Sequence, residues 1–108
     1  MTPAIAAALK IAVDRIVQDV HPVRIVLFGS QARGDAGPDS DVDLLVILSE
    51  ITERREQVVA IRRLLADMPF AKDVLVASPQ EVEESRGRVD SIVWPAIEEG
   101  RILYEQSA

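Results

Sequence analysis

The chain has 108 residues, 48% of them apolar, and a formal net charge of -6 from 12 basic and 18 acidic side chains. That length suits one domain over residues 1–108 with a single core, the apolar fraction excludes a mainly disordered chain, and the acidic balance excludes stable, sequence-independent nucleic-acid binding, which needs a basic face. No apolar run reaches the roughly 18 residues of a membrane span, no basic stretch followed by an apolar run marks a signal peptide, and the absence of cysteine excludes disulfides and thiolate metal sites and fits a cytoplasmic protein.

Helix and strand patterns alternate along the chain. Thr2 can cap a first helix, with Pro3 at its first position. Apolar residues at Ile5, Leu9, Val13, Ile16, Val17 and Val20 form a helical stripe. His21-Pro22 ends it, because the residue before proline disfavours the helical region. Val23 to Phe28 reads as a short β-branched strand, and Gly29 to Ser40 as a polar loop with room for a helical turn after Ser30. Val42 to Leu48 is the most apolar run and reads as a buried strand.

Thr52 is then expected to cap a second long helix through Asp67, with Val58, Ile61, Leu65 and Met68 on one face. Lys72 to Ala77 is a third strand. Ser78-Pro79-Gln80-Glu81 spells a capping box with proline at the first helical position, and Gly87 is expected to stop that helix. Val89 to Glu99 reads as helical, with Pro95 a kink or a restart. Gly100 ends it, and Ile102 to Tyr104 forms a last short strand.

The chemistry concentrates between Val26 and Val46, in VLFGSQARGDAGPDSDVDLLV. Residues two apart on a strand share a face, about 6.5–7 Å apart along it. Asp41 and Asp43 therefore present carboxylates side by side, with Val42 pointing inward. Such carboxylates raise each other's pKa, and a hard cation removes that cost. Carboxylate, phosphate and water oxygens make the usual magnesium site, and paired ions can hold both oxygens of an in-line phosphoryl displacement. Asp73 opens the third strand. If that strand lies beside the one carrying Asp41 and Asp43, Asp73 completes a three-carboxylate cluster, as a metal ligand or as the acceptor of a hydroxyl proton. Gly29 permits a tight turn close to a phosphate, Ser30 offers a hydroxyl and a free N–H at the start of a helical turn, and Arg33 supplies charge for triphosphate oxygens.

Other motifs fit less well. A P-loop needs Lys-Ser or Lys-Thr after its second glycine, whereas Asp35 follows Gly34, and G-x-G-x-x-G is absent. Asp39, Asp41, Asp43 and Glu50 match four EF-hand positions, but Leu44 stands where that loop needs glycine.

G-S-x-A-R-G followed by S-D-x-D-L resembles the signature of the DNA polymerase beta-type nucleotidyltransferases. Ten residues, Gln31 to Ser40, separate its two parts. The shortness and the ending WPAIEEGRILYE resemble the minimal nucleotidyltransferases, or MNT proteins. That resemblance implies an α/β (α+β) fold: a small palm, a mixed β-sheet with helices packed on it. It implies Mg2+ held by Asp41, Asp43 and Asp73, a triphosphate contacted by Gly29 and Ser30, with Arg33 and Ser40 beside them, and transfer of a nucleoside monophosphate, typically from ATP, onto a hydroxyl. Larger relatives add an acceptor-binding domain, for which this sequence shows no counterpart. Minimal members resemble antitoxins paired with helical HEPN toxins, neutralised by adenylylation of a tyrosine or by binding. A binding-only antitoxin, transfer to a small molecule such as an aminoglycoside, and a homo-oligomer that builds an acceptor pocket are the alternatives.

Simpler readings accompany these. Asp-x-Asp alone is usually a solvated strand end, and the correctly spaced Gly-Ser turn is what reverses that. Arg33 can equally pair with Asp35 or Asp39. His21 reads as a helix-end residue and Trp94 as core. The helix acids Glu81, Glu83, Glu84, Glu98 and Glu99, and the bases Arg54, Arg55, Arg62 and Arg63, read as solvated faces.

Overall fold

A computed structural model describes residues 1–37 and 40–107. Helix α1 runs Pro3–Val20. Thr2 Oγ1 accepts the Ile5 N–H at 3.1 Å, and His21 closes the helix in the left-handed region at φ 54°. Strand β1 (Arg24–Phe28) leads into a four-residue helix, α2 (Ser30–Arg33), then β2 (Val42–Ile47). After α3 (Arg54–Leu64) come β3 (Lys72–Ala77), α4 (Pro79–Glu84), α5 (Val93–Glu99) and β4 (Arg101–Glu105).

The four strands form one mixed sheet in the order β3-β2-β1-β4. β1 is antiparallel to both β2 and β4, and β2 is parallel to β3. Hairpin-like and crossover connections are both used, since only the parallel β2/β3 pair needs a return helix, α3, between its strands. Alternation along β2 divides its side chains between two cores. Val42, Leu44 and Val46 pack with Leu9, Ala12 and Ile16 of α1 and Ile61 of α3. Leu45 and Ile47 pack on the other face with Val26 and with Ala96 of α5. Burial on both faces explains why β2 reads as a continuous apolar run.

Several boundaries differ from the sequence reading. Glu53, not Thr52, occupies the N-cap of α3, with no side-chain cap. Gln57 closes that end instead: its Oε1 accepts the Thr52 N–H at 3.2 Å and its Nε2 donates to Glu50 O at 3.3 Å. α3 ends at Leu64, and the chain reaches Asp67 in turns. There Asp67 pairs with Arg15 of α1 at 2.6 Å, and Arg15 also caps Leu64 O at 2.9 Å. The capping box at Ser78 forms as expected, with Ser78 Oγ accepting the Glu81 N–H at 3.1 Å. That helix stops before Gly87, at Glu84. Helix α5 begins at Val93, so Pro95 lies in its first turn, where a missing N–H is harmless.

Arg54 departs from the solvated face assigned to it. Its Nη1 donates to Val76 O at 2.6 Å and its other nitrogen pairs with Glu81, tying α3 to β3 and α4. Trp94 is only half-buried, with the Arg86 guanidinium 4.9 Å from its ring.

Candidate active site

The site lies at one end of the sheet, on the α5 side. Phe28, the last residue of β1, stands opposite Asp43 in the antiparallel register. Directly after it, Gly29 adopts φ 73° and ψ -158°, a region that essentially only glycine occupies. A Cβ there would collide with Asp43 Oδ2 and lie 3.2 Å from Asp43 Cγ. Glycine is thus required twice, by conformation and by the approach of its backbone to a carboxylate.

Gly29 also starts α2. Its carbonyl accepts the N–H groups of Ala32 and Arg33, both at 3.1 Å. Ser30 and Gln31, the first two residues of the helix, have no intrahelical acceptor, so their N–H groups remain available in the way that suits an anion. Ser30 is half-buried.

Asp43 and Asp73 face each other directly across the parallel β2/β3 pair. Neighbouring strands lie about 4.8 Å apart, so the two carboxylates are near neighbours on one face. Asp41 precedes β2 by one residue and is exposed, while Val42 between them is fully buried. The Asp43 carboxyl is held above the usual aspartate range, first by its burial, then by the charges of Asp73 and Asp41, against an opposing pull from Arg33. Among the described residues no three His, Cys, Asp or Glu side chains are already arranged to hold a metal ion. The donor chemistry nevertheless fits a hard cation: hard carboxylate oxygens, one of them proton-hungry because of its acidic neighbours.

Arg33 is exposed and held by two acids: its Nε lies 3.3 Å from Asp35 Oδ2 and its Nη1 3.6 Å from Glu99 Oε2. Glu99, read from sequence as a solvated helix acid, thus joins the rim of the site from the end of α5. Ser40 Oγ accepts the Gly37 N–H at 2.8 Å and its own N–H donates to Gly37 O at 3.2 Å, tying Gly37 to Ser40 just before Asp41. Asp39, weighed above for an EF-hand position and as a partner for Arg33, lies outside the described residues. Gln31 escaped the sequence reading. It is 7% exposed, and its Nε2 donates to Ser40 O at 3.2 Å. Its place one residue after the Gly-Ser turn was the available signal.

Comparisons with known proteins bear on the family and the fold. A bifunctional uridylyltransferase/uridylyl-removing enzyme of Methylococcus capsulatus is 33% identical over 96 residues, 87% of this chain and 11% of that protein. A candidate protein adenylyltransferase of Methanocaldococcus jannaschii, MJ0141, is 44% identical over 54 residues, 50% of this chain and 54% of that protein. The chain therefore matches about half the length of one curated relative and about a tenth of the other. Among solved structures, a candidate nucleotidyltransferase from Sulfolobus solfataricus superposes with a TM-score of 0.65 at 16% identity, covering 98% of this chain and 91% of that one. A toxin–antitoxin structure with AMP-PNP superposes with a TM-score of 0.56 at 20% identity, covering 90% and 73%. Both show the same mixed α/β fold. The model of the nucleotidyltransferase domain matches residues 9–105, nearly the whole chain, and on that match the chain belongs to the nucleotidyltransferase-domain family.

Proposed function

We propose that this chain transfers a nucleoside monophosphate, AMP from ATP, onto a hydroxyl of a protein partner, and that the partner is a HEPN-type helical toxin which the transfer neutralises. The observation that carries the chemistry is the β2/β3 register, which sets Asp43 opposite Asp73 beside the Gly29 turn. The adenylyltransferase name of one relative supports the donor and the class of acceptor. The toxin–antitoxin neighbour with AMP-PNP supports the kind of partner.

In this reading the Gly29–Ser30 turn receives the triphosphate through backbone N–H groups and the Ser30 hydroxyl. Arg33 turns from its two acids to the phosphate oxygens. Asp41, Asp43 and Asp73 would hold Mg2+, which when bound supplies charge neutralisation at the phosphoryl group. Asp73, the most exposed strand carboxylate of the set, accepts the proton of the attacking hydroxyl. The acceptor oxygen forms a bond to the α-phosphorus, the bond from that phosphorus to the bridging oxygen breaks, and pyrophosphate leaves. A cytoplasmic setting is part of the same proposal, since the reaction consumes ATP.

The test is an intact-mass assay. The protein is copurified with whatever binds it, supplied with ATP and Mg2+, and compared with the double variant Asp41→Asn/Asp43→Asn. One or several adenylyl units on the partner, with the wild type alone, is the expected result. Partner binding and neutralisation by both proteins, without added mass from any triphosphate, would replace catalysis by binding as the function.

A further inference from the structure

Helix α2 has four residues, Ser30–Arg33. So short a helix cannot hold itself, because nucleation is unfavourable and propagation hardly begins. It is held by two buried residues, Gln31 and Ala32. Ala32 joins the core on the α1 side of the sheet. Gln31 is polar, yet it is 7% exposed. Its Nε2 reaches nine positions along the chain to Ser40 O, at 3.2 Å, while its Oε1 is buried without a hydrogen-bond partner among the described residues. An unpaired buried acceptor lowers stability. An apolar residue of the same length would avoid that cost, so the amide is poorly explained by stability alone.

Ser40 O belongs to the planar peptide that joins Ser40 to Asp41. Fixing that oxygen fixes the orientation of the same plane's far end, the Asp41 nitrogen and α-carbon. The other end of the link sits one residue beyond Ser30. We infer that Gln31 is a positioning residue that locks the peptide carrying Asp41 to the Gly29–Ser30 turn, so that the carboxylate and the phosphate-receiving turn keep one relative placement. The inference rests on the proposed reading of the site. The staple between Ser40 and Gly37 acts on the same loop, but it ties the loop only to itself. Arg33 of α2 reaches only the start of the loop, at Asp35; among the described residues, the Gln31 amide is the side-chain hydrogen bond that ties its far end, at Ser40, to α2.

The test is Gln31→Met, which keeps length and volume and removes the donor. Mn2+ binding is followed by electron paramagnetic resonance with a non-hydrolysable ATP analogue present, and transfer is followed on the copurified partner. The variant should melt no lower than wild type. Its Mn2+ affinity and kcat should each fall about 10-fold, the scale for groups that orient metal ligands. Its KM for ATP should stay within about twofold, because the turn itself is unaltered. Equal Mn2+ affinity and kcat in the two proteins would overturn the positioning role while leaving the transferase reading intact. A wild type that binds neither Mn2+ nor the analogue would overturn that reading, and the positioning role with it. Should Gln31→Met not fold, the wild type decides by 15N NMR. The Gln31 side-chain amide protons should be protected from exchange and should shift when the analogue and Mg2+ are added; free exchange without a shift rejects the proposal.

Discussion

The backbone of Gly29 lies directly against the Asp43 carboxylate, so closely that a Cβ at position 29 would collide with Asp43 Oδ2. The turn and the acid are therefore one unit. Gly29→Ala should cost about 1–3 kcal/mol from the backbone conformation alone, and more where Asp43 must move aside. Urea denaturation measures the first effect. The second appears as loss of transfer activity in the fraction that remains folded. A variant with wild-type stability and activity would mean that the turn is not held at a positive φ.

Asp43 binds its proton more tightly in the folded chain than in the unfolded one, through burial first and then through Asp73 and Asp41. Without a cation, its contribution to stability is largest below the ordinary aspartate range. It is lost as pH rises from that range through the raised folded value. Asp43→Asn removes the penalty. The variant should melt higher than wild type at neutral pH, with the difference shrinking as pH falls through the raised folded value and gone below the ordinary aspartate range. Mg2+ should raise the wild-type midpoint and leave that of the variant nearly unmoved. Calorimetry across pH, with and without Mg2+, checks both; a difference that grows toward acid would contradict the assigned cause.

Much of this was legible in the sequence because the signals were local. Thr2 and Ser78 cap helices through contacts within three residues, and the β2 apolar run reports burial on both faces. The adjacency of Asp43 and Asp73 is only conditional at the level of sequence, since strand order is a long-range property that a single sequence does not encode by spacing. Thr52 misled because its capping role passed to a side chain five residues away, Gln57. Gln31 and Glu99 were missed for a related reason. Each acts on a residue brought near only by the fold, Ser40 in one case and Arg33 in the other.

Arg33 is held by acids that are themselves more than half exposed, so these pairs add little stability, about 0–1 kcal/mol each, and less at high salt. Their consequence is competition with phosphate. Glu99→Gln should leave the unfolding free energy within about 0.5 kcal/mol and should tighten triphosphate binding, an effect that fades as ionic strength rises. Arg33→Met should weaken binding and abolish the influence of Glu99→Gln. Titration of a fluorescent ATP analogue at low and high salt, over the four combinations, measures the coupling; additive effects would separate Glu99 from Arg33.

Gly100, between α5 and β4, has no room for a side chain. A Cβ would strike Ala96 O and Val26 Cγ1 and stand 2.9 Å from Leu27 O. Two of the three obstacles are backbone, which cannot swing away. Gly100→Ala should therefore destabilise by about 1–3 kcal/mol, the usual cost of overpacking. Ser78→Ala, which removes a side-chain cap at the surface, should cost about 1 kcal/mol. The two sites share no partner, so the double variant should show the sum in chemical denaturation.

In the proposed reaction, Asp73 is the residue whose loss should separate catalysis from folding most cleanly. It is exposed as the second residue of β3, while Val74 and Val76 carry the packing. Asp73→Asn should change stability by no more than about 0.5 kcal/mol. If Asp73 accepts the acceptor's proton, kcat should fall by about 10²–10⁴ with KM for ATP nearly constant. The same change removes the larger of the two acidic charges that raise the Asp43 pKa, so the variant's penalty on Asp43 should shrink. Double-variant melting with Asp43→Asn reads this directly. The gain from Asp43→Asn at neutral pH should be smaller in the Asp73→Asn background than in wild type. An unchanged gain, together with wild-type kcat in the single variant, would place Asp73 outside the working set and leave proton transfer to another group.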